Sequence, residues 1–437
     1  MRLRIGTSFV PVIVGLAAAG LIGAGMVARP APKPVPAPSA ILQVPEKPTY
    51  AEHIAPLLNQ ACVSCHRPGE AAPFSLVGYE NAKRWSSMIV LATESGRMPP
   101  WKALPADVEY LNDAHLSDAH KTLLKKWHET GAPRGDKAKE PKTPEFPVGW
   151  RLGEPDMIWE MPYEKELSSE GSDEYWNFVI SPDIKEPTWI SAIDVKAGNP
   201  EIVHHVIVYL DKKGRAKKLV QGDRGDGKSG YTSSGGGVGF MPDGALGGWA
   251  PGAKQERLPA ESAFLVEPGT DIVLQIHYNK SGKVEKDRTQ VAVYTNKGKP
   301  SREVEIAWIA NPFINIEPGK ANQKFNWQMG IPRPIRLYSL MPHMHYLGKS
   351  MVAHAELPDG KKMKLIDVQD WDFNWQLIYG LKNPLVLPAG SKITLEATYD
   401  NSTDNPFNPS NPPKRVRWGE ETEDEMMLLV ATYSLEK

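Results

Sequence analysis

Two segments of the chain, residues 267–282 and 388–403, share one order of turn, strand and exit, and this recurrence constrains the fold most. The first reads EPGTDIVLQIHYNKSG and the second reads PAGSKITLEATYDNST. Each has a glycine turn, then an alternation of apolar and polar residues that is typical of a half-buried strand. A tyrosine and an asparagine-containing end follow. The recurrence predicts two related all-β sandwich domains in tandem, over 150–300 and 301–437.

The N-terminus carries an export signal. Two arginines precede an apolar run, FVPVIVGLAAAGLIGAGMV, over residues 9–27. Residues 1–28 are predicted to be either a cleaved signal peptide or a retained anchor, since the run is long enough to span a bilayer. The Pro-rich residues 29–48 follow as a semi-rigid linker. We therefore expect a periplasmic or other extracytoplasmic protein, with a membrane tether if residues 9–27 are retained.

The composition is that of an ordinary soluble globular protein. Hydrophobic residues make up 41% and charged residues 24% of the 437 residues, and the formal net charge is −1. Because neither charge is in surplus, the sequence argues against nucleic acid as a partner.

The only two cysteines belong to the segment ACVSCHRPG. Cys62, Cys65 and His66 form Cys-x-x-Cys-His, the signature of a covalently attached c-type haem with the histidine as axial ligand. The alternative is a disulfide beside an unrelated histidine. A helical pattern precedes the box, and a second predicted helix begins after Ser117. Residues 49–135 therefore resemble a small all-α class I cytochrome c domain, and a charged linker follows over 136–149.

A sixth haem ligand is expected from the middle of this region. Met98, in GRMPPW, lies on a loop that prolines restrict, and a methionine ligand would raise the haem potential. Met88 is the alternative, but it lies in a helical stretch and is interpreted as a core residue.

Six further residues have the character of metal ligands and lie in strand-like segments: His204, His205, His277, His343, His345 and Met426. Side chains alternate along a strand, so His343 and His345 are predicted to share a face. His204 and His205 are adjacent, so their joint ligation requires a bulge, a twist or a strand end. Burying five unpaired imidazoles would be costly, so a metal is the simpler interpretation than ordinary hydrogen bonding.

The donor types restrict the metal. Three imidazoles suit copper or zinc, and two imidazoles with a thioether suit Cu(I). Blue-copper and dinuclear thiolate centres need a free cysteine, which this chain does not offer.

The chain contains four short motifs in this order: His-His, Gln-x-His-Tyr, His-x-His-x-x-Gly and Asp-Glu-Met. With these motifs it resembles the copper type II, ascorbate-dependent monooxygenases, which include peptidylglycine α-hydroxylating and dopamine β-monooxygenase. The resemblance covers residues 150–437 and implies two jelly-roll-like domains facing a cleft. It implies an electron-transfer copper and an O2-binding copper, whose respective ligands are His204, His205 and His277, and His343, His345 and Met426. Met427 is expected on the opposite face, in the core.

The peptide enzyme's substrate-binding arginine and tyrosine correspond here to Met341 and Val430, so peptide amidation is not expected.

The sequence thus predicts an exported, haem- and copper-containing monooxygenase that hydroxylates an aliphatic C–H bond of a small molecule with O2. One covalent haem would relay electrons from an external donor to two copper ions. The first alternative is a non-enzymatic copper-binding, electron-transfer or redox-sensing protein. The second alternative is a β-sandwich that uses the 13 tryptophans as a contact surface for a polymer or protein, with DFNWQ (372–376) and GGWAPG (247–252) as binding loops. Packing of these aromatic residues in the core and in turns is the simpler interpretation.

Overall fold

A computed structural model describes residues 44–68, 70, 72–146, 149–233, 237–250, 253, 255–419 and 421–436. The predicted signal or anchor segment and the linker as far as residue 43 lie outside the described residues. Within the described ranges, no helix combines the length and the apolar character that crossing a bilayer requires.

The helices lie almost entirely before residue 140. A π-helical turn over Tyr50–Ile54 leads into the first α-helix, and a 3-10 turn over Lys137–Lys139 follows the fourth. The α-helices are α1 (Ala55–Ala61), α2 (Tyr79–Arg84), α3 (Ser86–Glu94), α4 (Asp118–Glu129) and α5 (Arg215–Val220).

The predicted second helix is confirmed as α4. The Ser117 side chain caps its first turn by accepting a hydrogen bond from the backbone N–H of His120. Its apolar face, including Leu124 and Trp127, is buried against α3 and the π-helical turn. The prediction that Met88 is a core residue is wrong, because its side chain lies on the solvent side of α3 and is 44% exposed.

Beyond residue 156 the chain is mostly β-sheet, as predicted. The strands, in chain order, are β1 (Met157–Glu160), β2 (Lys165–Leu167), β3 (Glu174–Ile180), β4 (Thr188–Lys196), β5 (Val203–Asp211), β6 (Gly230–Thr232), β7 (Gly244–Trp249), β8 (Ser262–Val266), β9 (Asp271–Tyr278), β10 (Glu285–Asp287), β11 (Gln290–Thr295), β12 (Arg302–Ala310), β13 (Asn315–Ile316), β14 (Lys320–Gly330), β15 (Ile335–His343), β16 (Gly348–Glu356), β17 (Lys362–Val368), β18 (Tyr379–Leu387), β19 (Lys392–Asn401), β20 (Val416–Arg417) and β21 (Leu428–Leu435).

One eight-stranded sheet runs through both predicted β domains. Its order is β1-β11-β4-β8-β12-β21-β15-β18, and a short parallel pairing of β8 with β12 joins the two halves. A five-stranded sheet, β6-β3-β9-β5-β7, packs on the first half, and a four-stranded sheet, β14-β19-β16-β17, packs on the second. Each half is therefore a two-layer sandwich with its own apolar core.

The two recurrent segments occupy equivalent places. β9 lies between β3 and β5 in the five-stranded sheet, and β19 lies between β14 and β16 in the four-stranded sheet. Both pair antiparallel on both sides, so each is a central strand. β19 alternates between buried and more exposed residues, as predicted, whereas every residue of β9 is buried, so the half-buried strand predicted there is wrong.

The loop between α3 and α4 packs on the second β half. The Trp101 ring meets Tyr379 edge-on, with centroids 4.9 Å apart. The Leu111 N–H donates to the Gly380 carbonyl at 2.7 Å. This loop belongs to the range predicted as a separate helical domain, yet it contributes to the core of the second sandwich.

Candidate metal centre

A bulge brings the adjacent His204 and His205 together. The pairing of β5 with β9 shifts register between Val203 and His205, so that His205 lies opposite His277 and His204 is the extra residue. A regular strand would point the two imidazoles to opposite faces, and the bulge removes this obstacle. The side-chain ligand atoms of His204, His205 and His277 all lie within 4.8 Å of one another.

The nitrogen atoms of this histidine triad are arranged for a shared ligand. His204 Nδ1 and His205 Nδ1 are 3.3 Å apart. His277 Nε2 lies 3.0 Å from the Asp173 carboxylate, whereas its Nδ1 is buried without a hydrogen-bond partner. Since Asp173 accepts the Nε2–H, Nδ1 carries the lone pair that could bind a metal.

The second cluster lies where β15 ends. His343 is the last residue of that strand, whereas His345 lies beyond it, so the expectation of two histidines on one regular strand is wrong. Their ring centroids are nevertheless 5.1 Å apart. Both Nδ1 atoms meet oxygen acceptors: Gln376 Oε1 at 2.7 Å from His343 and the Asp424 carbonyl at 3.1 Å from His345. Both Nε2 atoms are thereby left as potential ligands.

A buried carboxyl group, that of Glu425, fixes the backbone around this second cluster. Glu425 accepts hydrogen bonds from the N–H groups of His345 at 2.9 Å, Leu347 at 2.6 Å and Met426 at 3.2 Å. The Tyr399 hydroxyl donates to the Met426 carbonyl at 2.8 Å. Burial raises the pKa of Glu425 to about 8, although these N–H groups act in the opposite direction. Met427 is buried in the core, as predicted.

Four of the five histidines, His204, His205, His343 and His345, are neutral imidazoles at neutral pH. Burial lowers the pKa of His204 to about 4, of His343 to about 4 and of His345 to about 3. Burial also lowers the pKa of His205 well below its usual range, and the neighbouring imidazoles add to the effect. Neutral imidazole is the form that binds a metal ion.

Phe373 contacts both clusters. Its ring stacks on His204 with centroids 5.3 Å apart and meets His345 edge-on at 6.0 Å. Tyr175 stacks on His277 with centroids 4.2 Å apart, and its hydroxyl is 3.1 Å from Thr422 in the segment before Met426. The clusters are thus neighbours across one aromatic ring.

A cavity of about 420 Å³ opens beside both clusters. Its wall includes His205 from the triad together with His343, His345 and Met426. The remaining wall is mainly apolar and comes from both β halves, with the outer face of the five-stranded sheet on one side. Its size and lining fall within the usual range for small-molecule sites.

The Cys-x-x-Cys-His box forms a tight turn after α1. The backbone N–H of His66 donates to the Cys62 carbonyl at 2.9 Å, and the two thiols are not joined in a disulfide. His66 Nδ1 lies 3.2 Å from the Phe74 carbonyl, and burial lowers the pKa of His66. Cys65 lines an apolar pocket with Pro99, which directly follows the predicted ligand Met98. Coordination by Met98 stays a prediction.

Sequence reasoning missed three residues that position the candidate ligands: Asp173, Gln376 and Glu425. Only Glu425 belongs to one of the predicted ligand motifs, Asp-Glu-Met, where it directly precedes Met426. Phe373 and Gln376 of DFNWQ and Trp249 of GGWAPG line the cavity. The aromatic residues of these two segments are therefore a sequence signal for the candidate site.

No protein-family model matches the chain, and no curated protein sequence matches it. Among solved structures it is similar to the major capsid protein P2 of bacteriophage PM2, at 9% identity and a TM-score of 0.25, covering 64% of this chain and 98% of that one. It is also similar to the PBSX exported protein XepA, at 9% identity and a TM-score of 0.17, covering 60% and 91%. Scores this low carry no argument about function.

Proposed function

We propose that the protein is an exported monooxygenase that uses two copper ions and a c-type haem to hydroxylate an aliphatic C–H bond. The overall reaction is R–H + O2 + 2e⁻ + 2H⁺ → R–OH + H2O. One observation carries the proposal: two imidazoles and a thioether lie on the wall of an apolar cavity, directly beside a triad of imidazoles. That arrangement supports both a reaction site and a neighbouring one-electron site.

The triad fits a metal ion because it contains a nitrogen that nothing else satisfies. His277 Nδ1 is fully buried and unpartnered, and leaving a buried polar atom unpaired costs about 1–3 kcal/mol. A cation bound to this nitrogen and to the other two histidines would remove that cost. The imidazole donors suit copper or zinc, and the thioether of Met426 in the second cluster favours copper in its reduced form.

The helical region fits a covalent haem. The His66 Nδ1–H donates to the Phe74 carbonyl, which leaves Nε2 as the lone pair that an axial ligand needs. The pocket beside Cys65 also contains Trp101, whose indole N–H is buried without an acceptor. An acceptor group of the haem would satisfy this donor. We therefore assign residues 49–135 as a cytochrome c domain that supplies electrons to the β region.

When bound, the copper ions and the haem would supply one-electron chemistry toward O2, with electrons from an external donor. The chain's own residues do the rest. Gln376 and the Asp424 carbonyl hold the Nδ1 protons of His343 and His345, and so keep both Nε2 atoms deprotonated and oriented. Glu425 fixes the backbone that carries His345 and Met426. The apolar wall binds the substrate and excludes water.

The test is oxygen consumption by copper-loaded, reduced protein with a panel of small C–H compounds, followed by product mass. We expect uptake of O2 and products heavier by one oxygen atom. Met426→Leu removes the thioether at similar volume and should abolish turnover while haem reduction persists. Met363→Leu, on β17 and outside the cavity wall, is the matched control and should leave turnover unchanged. Full turnover by Met426→Leu would reject the assignment.

The same assay separates the enzyme from the non-enzymatic alternative. A copper-binding redox protein would bind two copper ions and exchange electrons with its haem, but would show no substrate-dependent O2 uptake. The large cavity beside Met426 favours the enzyme, because a pure electron carrier needs no such space.

A further inference from the structure

The floor of the cavity is built from three neighbouring strands, β12, β21 and β15, each of which contributes alternate residues. The strand register aligns these residues into three rows across the sheet. The first row contains Ala310, Leu428 and His343, because Leu428 pairs with both of the others. This row forms the end of the cavity at the second histidine cluster.

The middle row is apolar except for the indole N–H of Trp308. Val430 pairs with Trp308 on one side and with Met341 on the other, and all three line the cavity. A molecule that reaches His343 along the floor must therefore lie against an apolar surface.

The third row carries two hydroxyl groups. Thr432 pairs with Ile306 and with Ser339, and the Ser339 hydroxyl donates to Thr432 Oγ1 at 2.8 Å. Because Thr432 accepts that bond, its own hydroxyl hydrogen has no acceptor within the described part of the chain and can be offered to a ligand. Ser339 stands four residues before His343, which corresponds to roughly 13 Å along the strand.

The cavity wall has no charged side chain among the described residues that line it. Moving an ion from water into such a site without a partner is strongly unfavourable. The exposed apolar side chains of Met241 and Trp308 also belong to the wall and provide an apolar approach from solvent.

We propose that this cavity binds a neutral, elongated and mostly apolar molecule with a hydroxyl or carbonyl group at one end. That group is held by the Ser339–Thr432 pair, and the apolar body crosses the middle row so that the other end lies beside His343. The inference deepens the proposed function, and it rests on that function only for the statement that the ligand is the substrate.

The test measures binding by isothermal titration calorimetry, with the full chain after chelation of copper so that no ligand binds a metal directly. Three probes share one carbon chain: 1-decanol, decanoate and decylammonium. We expect 1-decanol to bind and both ions to bind at least about tenfold more weakly, since only they place a charge in the apolar wall. Equal or tighter binding of either ion, or no binding of 1-decanol, would overturn the proposal.

Variants test the two parts of the wall separately. Met341→Arg places a cation in the middle row and should weaken 1-decanol binding at least about tenfold while making decanoate the preferred probe. Met88→Arg makes the same exchange at an exposed position and should change nothing. Thr432→Val removes only the hydroxyl and should weaken 1-decanol binding by about threefold to tenfold.

These outcomes are decisive in both directions. Unchanged 1-decanol binding in folded Met341→Arg would show that the probe lies elsewhere, and unchanged binding in Thr432→Val would remove the hydroxyl end from the proposal. Thr432→Val preserves shape, so it decides the case if Met341→Arg fails to fold by circular dichroism. Because binding needs no copper, 1-decanol binding without O2 uptake would reject the monooxygenase alone. Uptake with other compounds but no 1-decanol binding would reject only the substrate class.

Discussion

The two histidine clusters are built in opposite ways. The triad is formed inside a sheet, where a bulge in β5 brings two adjacent histidines to the same side as His277 on β9. The second cluster is formed at the end of β15 and in the segment before β21, where hydrogen bonds to the acceptors Gln376 and Glu425 hold His343 and His345 in place. Strand pairing fixes the first cluster, and buried side chains fix the second.

The difference matters for chemistry. Of the triad, only His205 lines the cavity, whereas all three proposed ligands of the second cluster do. A ligand site that is shielded from the cavity suits electron transfer, and one that opens to it suits a reaction with a bound molecule. The two recurrent strands also differ in what they contribute. β9 carries the candidate ligand His277, whereas β19 carries Thr398 at the corresponding position.

The largest expected effect is the loss of one metal ion when a ligand is removed from either cluster. His277→Ala and His345→Ala should each reduce bound copper from two ions per chain to one, because the clusters have separate donor sets. Copper content measured after dialysis, with His354→Ala as a control histidine on β16, checks this. Loss of both ions from a single substitution would show that the two clusters form one site.

Glu425→Ala should destabilise the fold by about 3–5 kcal/mol, because three N–H groups would lose their buried acceptor. Glu425→Gln keeps acceptor oxygen and should cost much less. Urea unfolding measures both, with the exposed Glu423→Ala as the control. If Glu425→Ala proved as stable as Glu423→Ala, the backbone around the second cluster would not depend on the buried carboxyl group of Glu425.

Removal of the outer hydrogen-bond partners should weaken copper binding at one cluster only. Gln376→Leu should lower the affinity of the second cluster, and Asp173→Leu that of the triad, each by about 10–100-fold. The effect of Gln376 should be the greater, because it is buried and its amide is oriented by a hydrogen bond to the Phe373 carbonyl. Competition with a chelator measures both sites, and each variant's unaltered site serves as its internal control.

The smallest effect is expected at the contact between the clusters. Tyr175→Phe keeps the ring stacked on His277 but removes the hydroxyl that meets Thr422, at a cost of about 1 kcal/mol. Thermal unfolding measures this cost, and Thr422→Val should give a similar value. Additive losses in the double variant would indicate that the two hydroxyl groups do not interact.

Several parts of the fold followed from local patterns. The cap at Ser117, the helix after it and the strands that contain His277 and Thr398 are encoded within a few residues by capping and alternation. The parallel pairing of β8 with β12 was not predictable, because it joins segments that are far apart in the chain and each satisfies the same strand pattern alone. The degree of burial of Met88 was not predictable for a related reason. Helical periodicity indicates that a helix has distinct faces, but not which of them another part of the chain covers.

The sequence by itself determined the residue types available for chemistry: five histidines in strand-like segments, a methionine near the end and a Cys-x-x-Cys-His box. Donor type is a property of each side chain, so it can be read without a fold. Only the tertiary structure decided which donors meet. The bulge at His204, the carboxyl group of Glu425 and the ring of Phe373 act across long stretches of chain, and their positions depend on how two sandwiches pack together.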